Sequence, residues 1–241
     1  MNKFFWGNST SSMQTEGAYN EGGKGPSVYD IREASDNKSD WKVAIDEYHR
    51  FEEDIKLMAE MGMNCYRFQV SWSRIFPDGE GTINEEGLEF YNNLIDCLIK
   101  NNIEPMICLY HFDMPLALFE KYDGFSSRHV QEAFFKYGKL LVDRFHHKVK
   151  YWITFNEHNL YSLDMGFTIA GSKKEHTLEN IYNIQHYTLL AHAKISNYIH
   201  EKYNDLKIGG MLAYSPYYPS TSNPEDVHIA NQYDRFLNKL Y

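Results

Sequence analysis

The sequence predicts an α/β fold, a (β/α)8 barrel of TIM type, with about five of the eight strand–helix units present. Five apolar, strand-like runs alternate strictly with long amphipathic runs. No glycine-rich phosphate turn opens a helix after the first strand, which disfavours a doubly wound, dinucleotide-binding sheet. After the first strand the runs recur about every 47 residues, so eight units would need roughly 380 residues, within the range of barrels carrying insertions. The chain of 241 residues stops inside the amphipathic run "RFLNKLY" without a cap, which reads as an incomplete barrel. It contains no internal repeat, low-complexity tract or linker, so residues 1–241 are expected to form one portion of a single barrel with no internal boundary.

The strand-like runs are "KFFWGNS" (3–9), "NCYRFQVSW" (64–72), "EPMICLYHF" (104–112), "VKYWITFN" (149–156) and "KIGGMLAYS" (207–215). They are rich in aromatic, β-branched and other apolar residues and lack strict alternation, as strands buried on both faces do. The first helix is expected over 47–62, where Phe51, Ile55, Met58 and Ala59 share a face and Gly62 provides the stop. The second, over 84–102, has Asn84 as its expected cap and Leu88, Tyr91, Leu94, Ile95 and Leu98 on one face. Residues 128–147 and 177–203 follow the same pattern, and 223–241 opens with a proline-led helix start. The stretch "SWSRIFP" (71–77) reads as tight packing beneath the rim of the barrel.

Composition narrows the function. With 43% hydrophobic and 24% charged residues, the chain is expected to bury a sizeable core. Net charge is −9, from 24 basic and 33 acidic residues, and no basic stripe is present, which argues against a nucleic-acid partner. Cys65, Cys97 and Cys108 are an odd set with apolar neighbours, as expected of reduced thiols in a reducing compartment. The histidines at 146, 147, 186 and 192 lack metal-ligand spacing and read as surface or hydrogen-bonded core residues. No segment has the length and apolarity of a membrane span, and the start of the chain carries too short an apolar run for a signal peptide. A cytoplasmic location is therefore expected.

In a β/α barrel, catalytic groups sit at the carboxyl ends of strands. Gln14 and Glu16 follow the first strand, Arg67 and Ser71 lie on the second, His111 and Asp113 end the third, and Asn156 and Glu157 end the fourth. Amide, imidazole and guanidinium groups around carboxylates suit a neutral, hydroxyl-rich ligand. Glycoside hydrolysis needs two carboxyl groups, and Glu157 at the tip of an apolar strand could have the raised pKa of a general acid. Taken singly, each residue has an ordinary role: Glu157 in a solvated loop, His111 at a strand end, Arg67 in an ion pair and Asp113 in a turn before Met-Pro. Only their convergence on one rim points to chemistry.

Four stretches in order and spacing, "FFWGNSTSSMQTEGAYNEGGKGPSVYD" (4–30), "YRFQVSWSRIFP" (66–77), "LYHFDMP" (109–115) and "TFNE" (154–157), resemble the amino-terminal half of family 1 glycoside hydrolases. The resemblance implies retaining hydrolysis of β-glycosides on a (β/α)8 barrel, with no metal and no organic cofactor. It implies that Glu157 is the acid/base and that Asn156 contacts the sugar 2-hydroxyl. Gln14 and His111 would bind the outer hydroxyls of the glycone, and Arg67 would hold the carboxylate of the nucleophile. Phe112 stands where many members have Trp, and His158 where Pro often follows the acid/base. "HFDMP" and "YSPYYPSTSNPEDV" (214–227) look more like the 6-phospho-β-glucosidase branch. The family's nucleophile, aglycone-side Trp and phosphate-gripping Ser/Lys/Tyr group belong to later strands.

The expected activity is hydrolysis of 6-phospho-β-glucosides such as cellobiose 6-phosphate. Alternatives are a β-glucosidase, β-galactosidase or 6-phospho-β-galactosidase, or a catalytically inactive half-barrel. A chain ending at residue 241 is expected to be inactive alone and to expose an open sheet edge. Expected partners are a sugar or sugar phosphate and either a second copy of the chain or a complementary carboxyl-terminal chain.

Overall fold

A computed structural model describes residues 4–163 and 165–238. In chain order the elements are β1 (Gly7–Ser9), α1 (Ser12–Thr15), α2 (Glu47–Glu60), β2 (Cys65–Gln69), α3 (Trp72–Ile75), α4 (Glu85–Lys100) and β3 (Glu104–Tyr110). There follow α5 (Leu116–Tyr122), a 3₁₀ turn (Gly124–Ser126), α6 (Arg128–Phe145), β4 (Tyr151–Phe155) and a second 3₁₀ turn (His158–Ser162). The last elements are α7 (Gly166–Ile169), α8 (Leu178–Lys202), β5 (Lys207–Gly209) and α9 (Pro224–Asn238). The strands form one parallel sheet in the order β1-β2-β3-β4-β5, so each crossover adds the next strand on the same side. Five consecutive α/β units of a barrel wall are thus present, as the alternation predicts.

The central strands match the expectation of burial: β2 is buried along its whole length and β3 along most of it. The outer two do not. β1 is exposed at all three residues and β5 is exposed or half-buried, and both are shorter than the apolar runs that predicted them. Among the described residues each has a hydrogen-bonded neighbour on one side alone, and without a second neighbour the ladder shortens. Exposed apolar side chains lie near both edges, Phe4 and Trp6 beside β1, Leu212 and Tyr214 after β5.

Helix patterning is carried through. Leu88, Tyr91, Leu94, Ile95 and Leu98 are all buried on α4. Gly62 takes φ +80° just past α2, the left-handed conformation that only glycine adopts without strain, and Met63 N–H closes the end onto Met58 O at 3.1 Å. Ser127 and Thr177 cap α6 and α8 with their side-chain oxygens. Asn84, the expected cap of α4, does not cap it: its amide donates instead to Gly22 O at 2.7 Å and Arg74 O at 2.9 Å, pinning the long first loop.

The 71–77 stretch is packed as read, with the added feature that Trp72–Ile75 forms a fully buried helical turn. Trp72 stacks on Tyr137 with ring centroids 5.2 Å apart, and Phe134 stacks on Phe155 at 4.8 Å. Tyr137 donates to Val70 O at 2.7 Å, so this aromatic layer also ties α6 to the end of β2. Its effect is to hold the ends of β2, β3 and β4 rigidly at one level, which is where the polar residues emerge.

Candidate active site

Arg67 is the hub of that end. It lies on β2 with 5% exposure, and its guanidinium touches the ends of three other strands. Nη1 donates to Ser9 Oγ at 2.8 Å and lies 3.4 Å from His111 Nδ1. Nη2 donates to Asn156 Oδ1 and to Cys108 Sγ, both at 2.9 Å. Nε is buried without a partner, and among the described residues no carboxylate pairs with this cation. Each contact is with a neutral group. A buried guanidinium so placed favours an anion, because only an opposite charge offsets the cost of removing it from water.

Asn156 and Glu157 follow β4 directly. Asn156 N–H extends the ladder to Tyr110 O at 2.9 Å, and its side chain is 2% exposed. Glu157 then takes φ +47°, a left-handed turn unusual for a residue with a side chain, and the residue as a whole is half-buried. Strain of that kind persists only where the surroundings over-determine it. Here Asn156 is fixed on one side, and His158 N–H is fixed on Met211 O at 2.8 Å on the other.

His158, in the position after Glu157, is a packing residue. Its ring lies against Phe155 at 4.9 Å, and Nε2 is 3.1 Å from Thr188 Oγ1 on α8. Because Thr188 donates its own hydroxyl proton to Gln185 O, Nε2–H of His158 is the donor. Burial, and then the field of His192, push the imidazole down to about 3, so it is neutral near pH 7. His192 bonds Thr154 Oγ1 at 2.7 Å, in keeping with a hydrogen-bonded core histidine.

His111 is held down to about 3 by burial and by Arg67. Neutral, it accepts from Arg67 at Nδ1 and leaves Nε2–H as a donor. Gln14 is exposed on α1, with Ser11 Oγ donating to its Oε1 at 2.7 Å. The structure therefore brings Arg67, His111 and Asn156 into direct contact, sets Glu157 next to Asn156, and leaves Gln14 on the rim without a direct bond to the other four.

Two rim expectations are corrected. Glu16 is buried in an ion pair: Arg74 Nε donates to its Oε2 at 3.0 Å, and Tyr91 OH donates to Oε1. Ser71 is structural as well, its N–H donating to Tyr91 OH at 2.7 Å. Asp113 does more than shape a turn. It is 1% exposed and bonded to Ser12 and Gln69. Sequence reasoning missed Ser9, Cys108, Ser12 and Gln69. The signal available for Gln69 was its i, i+2 relation to Arg67, which places both on one face of β2.

No group of three His, Cys, Asp or Glu side chains among the described residues is placed to hold a metal ion. None of the described helices is long and apolar enough to cross a membrane. What the site offers is neutral donors and acceptors around a buried cation open to an anion, with the half-buried Glu157 next in the chain to Asn156.

Known proteins are similar to this chain in sequence and in fold. A sequence model of glycosyl hydrolase family 1 matches residues 1–241. The chain is 45% identical to an aryl-phospho-β-D-glucosidase of Bacillus subtilis, BglC, covering 99% of this chain and 51% of that protein. It is 38% identical to a 6-phospho-β-glucosidase of Clostridium longisporum, covering 99% of this chain and 56% of that one. The crystal structure of a rice β-glucosidase superposes with a TM-score of 0.91 at 34% identity, over 98% of this chain and 54% of the other. The chain thus spans about half the length of the relatives it matches. With the whole of residues 1–241 matched and the barrel wall in common, the chain belongs to glycosyl hydrolase family 1.

Proposed function

We propose that this chain supplies the acid/base half of a retaining glycosidase site that hydrolyses 6-phospho-β-glucosides. The observation that carries the reading is Arg67, a buried cation with four neutral neighbours and no carboxylate partner among the described residues, beside Asn156 and Glu157. Glu157 protonates the leaving glycosidic oxygen, and a carboxylate held against Arg67 attacks the anomeric carbon to form a glycosyl ester. Glu157 then takes a proton from water, which releases the sugar. That second carboxylate lies outside residues 1–241, on strands that complete the single barrel to which this portion belongs. Asn156, His111 and Gln14 bind glycone hydroxyls. No step requires a metal or organic cofactor.

The 6-phosphate is supported by the names of the relatives BglC and the Clostridium enzyme. The fit to a rice β-glucosidase favours free β-glucosides as the second reading. A cytoplasmic site of action goes with the first, since none of the three cysteines is joined in a disulfide. The open edges of β1 and β5 are covered by the complementary units of the barrel.

The test uses the full-length protein. Its kcat/KM for an aryl 6-phospho-β-glucoside is expected to exceed that for the matching aryl β-glucoside by about 100-fold or more, as charge-assisted recognition of a phosphate allows. Replacing Glu157→Ala should cost roughly 10²–10⁴ in kcat for a poorly leaving aglycone. With an activated aryl aglycone, which leaves without protonation, added azide should restore turnover of that variant by attacking the glycosyl ester and yield a β-glycosyl azide. Equal use of both glycosides sinks the phosphate assignment, and an unchanged kcat in the Glu157 variant sinks the acid/base assignment.

A further inference from the structure

Asp113 is the most buried carboxyl group near the site, and its surroundings are those of an acid rather than an anion. Gln69 reaches it from β2 and Ser12 from α1. The orientation of the Gln69 amide is fixed independently, because Ser12 N–H donates to Gln69 Oε1 at 3.1 Å. Nε2 of the same amide therefore faces Asp113 and donates to Oδ1. Ser12 Oγ lies 3.0 Å from Asp113 Oδ2 and 3.1 Å from Gln69 Oε1. A hydroxyl carries one proton and cannot donate to both oxygens. If Asp113 were ionised, one of these two close oxygen pairs would have no proton between them. If Asp113 is protonated, the three residues form a closed ring: Asp113 Oδ2–H donates to Ser12 Oγ, Ser12 Oγ–H donates to Gln69 Oε1, and Gln69 Nε2–H donates to Asp113 Oδ1. Every short contact is then a hydrogen bond.

The charge surroundings agree. Lys24, the cation whose field reaches Asp113, is already paired with Asp30 at 2.5 Å. Glu16 opposes ionisation by like charge. Burial, the largest cause, raises the carboxyl group to about 7, while its two hydrogen bonds work the other way. Cys108 and the phenols of Tyr29, Tyr110, Tyr137 and Tyr161 are all raised by burial and stay protonated through this range. His111 stays neutral there too.

The ring also joins places that matter. Ser12 begins the helical turn that carries Gln14, Asp113 lies two residues after His111, and Gln69 lies two residues after Arg67 on β2. We propose that Asp113 is a positioning residue that, as a neutral carboxylic acid, closes this ring and so locks the Gln14 segment against the strand ends bearing His111 and Arg67. This rests on the reading of Gln14 and His111 as glycone contacts. Loss of the proton opens the ring and loosens Gln14.

The experiment is a carbon-13 titration of carboxyl-labelled aspartates in the full-length protein, wild type and Asp113→Asn, with melting curves and KM values across the same pH range. One carboxyl group is expected to titrate near pH 7 and to vanish in the variant; no aspartate titrating above about pH 6 overturns the proposal. The asparagine amide can donate to Ser12 and accept from Gln69 at every pH. Because the folded-state carboxyl pKa lies above the unfolded one, the contribution of Asp113 to wild-type stability falls as pH rises from about 4 to 7. The variant's advantage in Tm should therefore grow over that window, by about 4 °C or more. A gap that is constant with pH, or a variant less stable throughout, means both oxygens must accept and overturns the ring. KM for the glycoside should rise at least threefold more in wild type than in the variant between pH 6 and 8; parallel KM profiles overturn the positioning role. The titration needs no folded variant, and it and the melting curves decide the ring whether or not a glycoside is turned over.

Discussion

At the residue scale, Arg67 is a buried charge that no carboxylate among the described residues neutralises. Its fork reaches Ser9, Cys108, His111 and Asn156, so the ends of three neighbouring strands are registered on β2 by one side chain. Lysine would keep the charge and lose the planar fork. Arg67→Lys in the full-length protein is expected to lower kcat by about 10²–10³ with a smaller change in KM, the scale of losing a preorganised electrostatic contact. A kcat within tenfold of wild type would show that the charge alone suffices. Cys108 illustrates what the sequence does not reveal: an apolar-looking residue in a buried strand is in fact a sulfur acceptor for the guanidinium. Arg67 itself was legible because a basic residue in an otherwise apolar strand demands a partner; which partners it has depends on strands 40 to 90 residues away.

At the scale of elements, the helices were legible because their apolar faces repeat with the helical period, as α4 shows. The short segments were not. α1 and α3 are single turns whose existence depends on burial against their neighbours, and a four-residue helix has no period to read. The Glu16–Arg74 pair holds α3 to the first long loop. Arg74 is wholly buried, so Glu16→Gln strands a cation in the interior. A loss of about 3–5 kcal/mol is expected in urea unfolding. A loss under about 1 kcal/mol would mean that the carbonyl groups of Gly17, Ala18 and Glu21, which also receive Arg74, suffice alone.

At the scale of the whole molecule, the pH dependence of stability has an acid limb set by buried histidines. His111 and His158 are held down to about 3, against about 6.5 in an unfolded chain. At these two sites the unfolded chain therefore binds more protons between those values, and their contribution to stability drops as pH falls from about 6.5 towards 3. Removing one such group should flatten that limb. His158→Gln can retain a donor to Thr188, and it is expected to reduce the loss of stability between pH 6.5 and 4 by a few kcal/mol, read from urea unfolding at each pH. Identical slopes in variant and wild type would show that His158 titrates normally in the folded state.

The sequence alone determined the class of architecture, the five strand–helix units and the residues that end the strands, because these follow from local periodicity and from the chemistry of polar groups closing apolar runs. It also indicated the family, through four motifs in register. Tertiary structure decided which rim residues share a site. Glu16 and Asp113 both looked like members of one polar rim, yet one is consumed by Arg74 and the other by Ser12 and Gln69. Strand register and the lean of neighbouring strands settle that choice. They depend on contacts between distant segments, and no local pattern encodes where a side chain's nearest partner will come from.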